Sequence, residues 1–298
     1  MTGWGEVFAL SSAFLWALAV VLFRKSGETL PAFELNLVKN CLGFTLMIPT
    51  VLLVEGFGLP EYTPTELIVV FASGLIGIAL ADTWYLKALN LMGAGRTGIV
   101  ASLFSPFVIL LSAIFLGERL VLWQWLGFTL VLSGVLLVTW RANRAAVDAV
   151  NIKKGAFYGV GAVFMMAIGV IMVKELLETR SFLWTTELRL FGGVTGMLVF
   201  MLVPARWRSV RENISRPQPW GTIMLASFLG TYFGLILWLA AYKLIDASIA
   251  SVLNATSVTF IVLLAWLILG EKIGQRKLAG IGLTLGGVII MMLGAGRT

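Results

Sequence analysis

The chain has 298 residues, 59% of them hydrophobic and 12% charged, with a net charge of +7, no histidine and one cysteine. A soluble domain averages about 25% charged residues, so this chain cannot hide its apolar surface in its own core and needs the bilayer as its solvent. The same counts exclude structural disulfides, zinc sites and Cys–His nucleophiles. The basic residues stand in short clusters between apolar runs, which is the pattern of membrane orientation and not of nucleic-acid binding.

A helix needs about 20 apolar residues to span a bilayer. Ten runs qualify, in chain order Gly5–Phe23, Phe33–Val54, Leu67–Leu89, Ala94–Leu116, Trp123–Trp140, Gly155–Val173, Leu183–Val203, Trp220–Tyr242, Ala247–Leu269 and Leu278–Leu293. Their length and continuity predict helices, because the strands of a membrane barrel would alternate. No basic residue precedes the first run and no small-residue cleavage site follows it, so it reads as a permanent span. Two polar stretches interrupt the pattern. RANRAAVDAVNIKK (141–154) reads as a linker at the midpoint, and RWRSVRENISRPQP links spans seven and eight.

The chain repeats itself. FVILLSAIFLGERL, from Phe107, returns as FIVLLAWLILGEKI, from Phe260, 153 residues later. At that offset Ala88 meets Ala241, Gly117-Glu118 meets Gly270-Glu271, Gly127 meets Gly280 and Gly134-Val135 meets Gly287-Val288. Nearer the start the offset is 150, and Phe14 meets Phe164, Lys39 meets Arg189 and Gly43 meets Gly193. Each half holds five helices, residues 1–140 and 155–296. Five is odd, so the second half enters the membrane from the opposite side. The expected fold is an all-α integral membrane protein with ten transmembrane helices in two inverted five-helix repeats, a ground plan that secondary carriers use.

Several residues stand out as candidates for chemistry. Asp82 lies deep in the third run, where a short carboxylate cannot reach the headgroups. It reads as a proton- or substrate-binding group, or as half of an ion pair with Lys87 or a neighbouring helix. Lys39 and Arg189 occupy matching places in helices two and seven. They read as anion-attracting groups, or as long side chains snorkelling from helix ends. Trp16, Trp84, Tyr85, Tyr232, Trp238 and the mid-helix amide of Asn254 are candidates for an apolar solute pocket with a few polar groups. Glu118 and Glu271 read as turn residues after a helix-ending glycine, and Glu6 and Glu34 as complements to helix dipoles. Small-residue runs such as GLTLGG, from Gly282, suit close helix packing.

The Pro106-to-Gly117-Glu118 run, its return at Gly270-Glu271, the glycine patterns at Gly127–Val135 and Gly280–Val288 and the basic pair Lys39 and Arg189 resemble the EamA branch of the drug/metabolite transporter superfamily. Thr259 stands where the second proline of that pattern would fall. The resemblance covers both halves and implies a multi-pass protein of the cell membrane, the inner membrane in a bacterium. Its implied activity is export of small organic solutes, such as amino acids or related metabolites, by alternating access through a central cavity. Helices one to four and six to nine would surround that cavity. A flippase or exchanger for lipid-linked or nucleotide-type substrates, and a channel, stay open as alternatives. The implied partners are a small-molecule substrate, protons as coupling ion and the lipid bilayer, with no cofactor, metal or nucleic acid, in a monomer or homodimer. No H-E-x-x-H or G-x-S-x-G motif is present to support an enzyme. Loop charges place both termini outside, whereas relatives with cytoplasmic termini point the other way.

Overall fold

The computed structural model describes residues 4–58, 60–115, 122–139, 146–244 and 253–295. Among them the structure is helical, without strands. The helices are α1 (Trp4–Ser26), α2 (Ala32–Glu55), α3 (Pro64–Met92), α4 (Ala94–Ala101), α5 (Phe104–Phe115), α6 (Leu122–Thr139) and α7 (Ala146–Thr179). They continue as α8 (Phe182–Phe200), α9 (Pro204–Ser215), α10 (Trp220–Ser227 running on through Phe228–Phe233 and Gly234–Leu244), α11 (Ser257–Leu269) and α12 (Gln275–Ala295). Within the described residues α1, α2, α3, α7 and α10 are by themselves long and apolar enough to cross a membrane, and α8 joins them when taken together with α9.

The starts and stops follow local chemistry. Thr63 caps α3 in a reciprocal box with Glu66, with Pro64 in the first turn, where its missing N–H costs nothing. Ser181 accepts from the Trp184 N–H to open α8. Gly93, at φ 83°, separates α3 from α4 in a backbone conformation that other residues rarely adopt.

Three elements differ from the expectation. Residues 146–154, read as linker, are the first turns of α7, because Ala, Val and Asn-Ile-Lys-Lys carry no helix breaker once α7 has started. The basic stretch between spans seven and eight is mostly the helix α9, started by Pro204 and bent 109° from α8. The fourth run is broken between α4 and α5. Pro106 has no N–H to offer the Ser102 carbonyl and its ring crowds that carbonyl, so the Ser102 and Leu103 N–H groups fall back on Ile99 and Val100. The same break recurs in the second half at Thr256, whose N–H bonds Leu253, although Thr259 replaces the proline there. The start of the ninth run, with Ala247, and Gly117-Glu118 lie outside the described residues.

The repeat is visible as reciprocal contacts. Phe14 meets Phe260 edge-on at 5.6 Å, and their counterparts Phe164 and Phe107 meet edge-on at 5.2 Å. A Cβ on Gly134 would lie 2.9 Å from the Gly280 carbonyl, and one on Gly287 would lie 2.6 Å from the Gly127 carbonyl. Gly43 faces Thr231 and Gly193 faces Ile78 in the same exchanged manner. When residue i of one half touches j of the other, and the counterpart of j touches the counterpart of i, a two-fold axis relates the halves. The π-helical turns obey the same offset: Leu75–Leu80 in α3 and Phe228–Phe233 in α10. Each half wraps its third helix in helices of the other, α3 against α7 and α8, and α10 against α1 and α2.

Candidate functional site

A cavity of about 240 Å³ lies between the halves. Trp16, Lys39, Asp82, Tyr85, Arg189, Trp238 and Asn254 all line it. The two-fold shows in the lining: Lys39 answers Arg189, Tyr85 answers Trp238, Ile78 answers Thr231 and Asp82 answers Leu235, all eight on the wall. Trp84 and Tyr232 are placed elsewhere. Trp84 packs against Phe157 and Tyr158, and the Tyr232 hydroxyl lies 2.7 Å from Thr50 Oγ1.

Lys39 is the eighth residue of α2, about 10 Å along the axis from its start at 1.5 Å per residue. It does not snorkel. Its side chain is buried, and Nζ donates to Asp82 Oδ2 at 2.5 Å and to Asn40 Oδ1 at 3.1 Å. Asp82 therefore has Lys39, from another helix, as its partner. Lys87, the neighbour in sequence, is exposed; it donates to the Tyr158 hydroxyl and sits 4.1 Å from that ring's centre. Asp82 keeps 16% of its side chain open.

A ladder of amides supports this pair. Asn40 donates to Asn36 Oδ1 at 2.8 Å, and the Asn36 amide nitrogen reaches the Ile78 and Ala79 carbonyls and Thr83 Oγ1 at 2.9–3.2 Å. Those carbonyls belong to the π turn. A π turn shifts the backbone ladder by one residue and leaves carbonyls in want of donors; Asn36 and Thr83 supply them. Asn36, Asn40 and Thr83 went unread in the sequence. The signal was there: Asn36, Lys39 and Asn40 stand at i, i+3 and i+4, one helical face.

Arg189 is buried in α8 and has no ion pair or hydrogen bond among the described residues; its Nε is buried and unpartnered. Its backbone carbonyl lies where a side chain on Gly74 would be, and Gly77 leaves the space beside its Nη2. Tyr85 stands next to Trp16, ring centres 5.9 Å apart, with its hydroxyl buried. Thr231 Oγ1 is buried without a partner among the described residues. The wall thus combines aromatic and aliphatic surface with a few polar groups, the usual make-up of a site for a small organic molecule. Among the described residues no group of acidic, histidine or cysteine side chains is placed to hold a metal.

The repeat is also recognised from outside. The model of the EamA-like transporter family matches residues 3–140 and again 153–293. The chain belongs to the EamA-like transporter family. An uncharacterized transporter of Archaeoglobus fulgidus is 25% identical over 293 residues, 96% of this chain and 97% of that protein. The pseudopaline exporter CntI of Pseudomonas aeruginosa is 25% identical over 93% of this chain and 91% of its own. The UDP-N-acetylglucosamine transporter of Rattus norvegicus is 29% identical over 30% of each chain. A crystal structure at 17% identity superposes with a TM-score of 0.67, covering 100% of this chain and 99% of that one, which shows the shared fold. This EamA protein is therefore a multi-pass membrane protein with a repeated domain, and the relatives named above are transporters.

The second copy of the Gly-Glu pair has a definite place. Glu271 Oε1 accepts from the Ala94 N–H at 2.7 Å and Oε2 from the Gly95 N–H at 3.2 Å, while Lys277 Nζ donates to Oε2 at 2.9 Å. A turn residue of the second EamA repeat thus caps α4 of the first. Glu34 likewise does more than face its own helix dipole, accepting from Asn213 of α9 at 2.8 Å.

Proposed function

We propose that the protein is a secondary transporter that exports small organic solutes, amino acids or related metabolites, by alternating access through the cavity between its repeats. The observation that carries this reading is the origin of the wall. Lys39 and Asp82 come from one repeat and Arg189 from the other, on helices that exchange contacts across the two-fold. Rocking one repeat against the other then opens the same cavity to one side or to the other. CntI, named an exporter of pseudopaline, supports the direction.

In this reading Trp16, Lys39, Asp82, Tyr85, Arg189, Trp238 and Asn254 bind the solute, and the repeats, five spans each, lie inverted in the membrane. Asp82 carries the coupling proton, since its open edge faces the cavity. The protein leaves its solute chemically unchanged. The protein works as a monomer or homodimer.

Uptake into proteoliposomes tests the reading. A carrier saturates with solute concentration, whereas a channel's flux keeps rising. Asp82→Asn keeps the shape and removes the carboxylate. Retained folding with lost dependence on a pH gradient supports proton coupling; unchanged pH-driven uptake removes it.

A further inference from the structure

Among the described residues the two basic side chains of the cavity are counterparts in the repeat, yet only one has a counter-ion. Lys39 is held by Asp82. The counterpart of Asp82 is Leu235, which lines the same wall and can neutralise nothing. Arg189 is left without an ion pair or hydrogen bond among the described residues, although it is only 6% exposed and its Nε is buried and unpartnered. Asp82 is the carboxylate whose field reaches Arg189, but its close partner is Lys39. Glu187 stands two residues earlier, about 200° round the helix at 3.6 residues per turn, and does not line the cavity. Among the described residues the charged groups of the wall are thus Lys39, Asp82 and Arg189, and their sum is one positive charge in excess.

A buried charge without a partner is costly, and a site that holds one is built for what completes it. We propose that Arg189 anchors a single negative group, a carboxylate, on the transported solute. The protein then carries organic monoanions and zwitterions and rejects solutes whose only charge is positive. This rests on the carrier reading above and names the substrate class of that same site. The guanidinium offers a planar fork that matches a carboxylate with two parallel bonds. A monoanion brings the wall to neutrality, whereas a phosphate dianion would leave it negative. Trp16, Tyr85 and Trp238 give the solute's body an aromatic and apolar lining, and Lys39, already paired, contributes no second anion site.

Three probes that share a phenyl ring and a short chain test the charge rule: 3-phenylpropionate, phenylalanine and phenethylamine. The readout is the melting temperature of the purified full chain at matched ionic strength, because a ligand of the folded state raises it. Both carboxylates are expected to raise it in a dose-dependent way and phenethylamine is not. Arg189→Gln should weaken the carboxylate response at least ~10-fold, and Arg189→Lys, which keeps charge but loses the fork, less. A response to phenethylamine alone, no response to either carboxylate, or a carboxylate response that survives Arg189→Gln overturns the proposal. Should Arg189→Gln fail to fold, Leu235→Asp decides. It adds a carboxylate to the same wall, offsets the excess positive charge there and must weaken carboxylate binding; undiminished carboxylate binding overturns the proposal. Uptake separates the two readings. Arg189-dependent binding without any transport removes the carrier and leaves the anion site, while transport at equal rates in wild type and Arg189→Gln leaves the carrier and removes the anion site.

Discussion

The two repeats share a backbone plan and differ in charge. Both third helices carry a π turn 153 residues apart, both fourth helices break at the same place, and both second helices set a basic side chain on the cavity wall. The first repeat then adds a carboxylate and an amide ladder, Asp82 with Asn36 and Asn40, where the second has Leu235, Thr186 and Leu190. The two-fold geometry is thus retained by packing, which needs glycines and aromatics at matching places. The chemistry is free to diverge, because a solute that is not itself symmetric has no use for two identical ends.

The largest test of that contrast copies the second repeat into the first. Asp82→Leu leaves Lys39 buried and unpaired, and breaking such a pair costs about 3–5 kcal/mol. A strong fall in melting temperature is expected, and replacing Lys39 by Met in the same chain should recover most of it, since removing both partners is far cheaper than removing one. If Asp82→Leu melts like the wild type, Lys39 is not confined to this partner and the assigned asymmetry between repeats is wrong.

A smaller effect probes the shared plan. α6 and α12 meet through Gly134 against Gly280 and Gly287 against Gly127, with no room for a methyl group on either. Overpacking of this kind costs about 1–3 kcal/mol. Gly134→Ala and Gly287→Ala should therefore destabilise to nearly the same extent, with Gly287→Ala slightly worse because its contact is the closer. A loss at one glycine without a loss at the other would show that the two-fold is broken at the fifth helices.

The sequence made the plan legible and the pairing illegible, for physical reasons. Glycine-on-backbone contacts and the Phe14 and Phe107 pairs tolerate few substitutes, so they recur in register and betray the repeat. The partner of Asp82 could not be read that way. Lys87 is near in sequence, five residues on, yet it points outward; Lys39 is 43 residues away and arrives only when α2 packs on α3. The π turns have no signature either, for LIGIAL and FLGTYF contain no proline and read as plain helix. What marks the first of them is the donor that fills it, Asn36, on a different helix. The fourth run reads as one continuous span although Pro106 could have flagged its break, and nothing at Thr256 flags the recurrence, since nothing there forbids a continuous helix. The nine site candidates stand out as polar or aromatic residues within apolar runs, and that seven of them face one cavity while Trp84 and Tyr232 do not is a fact of packing.

The smallest expected effect lies at the repeated Gly-Glu pair. Gly270 ends α11 in the left-handed conformation, at φ 66°, and so turns Glu271 back toward the first repeat. There the carboxylate meets two N–H groups at the start of α4, which the helix itself cannot satisfy, and the ammonium of Lys277. Burial acts to raise the Glu271 pKa, but the bonds from Lys277, Ala94 and Gly95 outweigh it, so the carboxyl lies below its ordinary value. A depressed pKa in the folded state means that its contribution is complete above the unfolded value of about 4.3 and is lost as pH falls through the folded one. Glu271→Gln should thus cost about 1 kcal/mol near neutral pH, the usual scale of a helix cap. The gap to wild type should close on acidification below about pH 4. A gap that stays constant with pH would mean that shape, and not charge, holds the turn. Glu118 lies outside the described residues, and Glu118→Gln measures whether the first copy contributes alike: an equal loss with the same pH profile extends the two-fold to these turns, and no loss confines the cap to the second repeat.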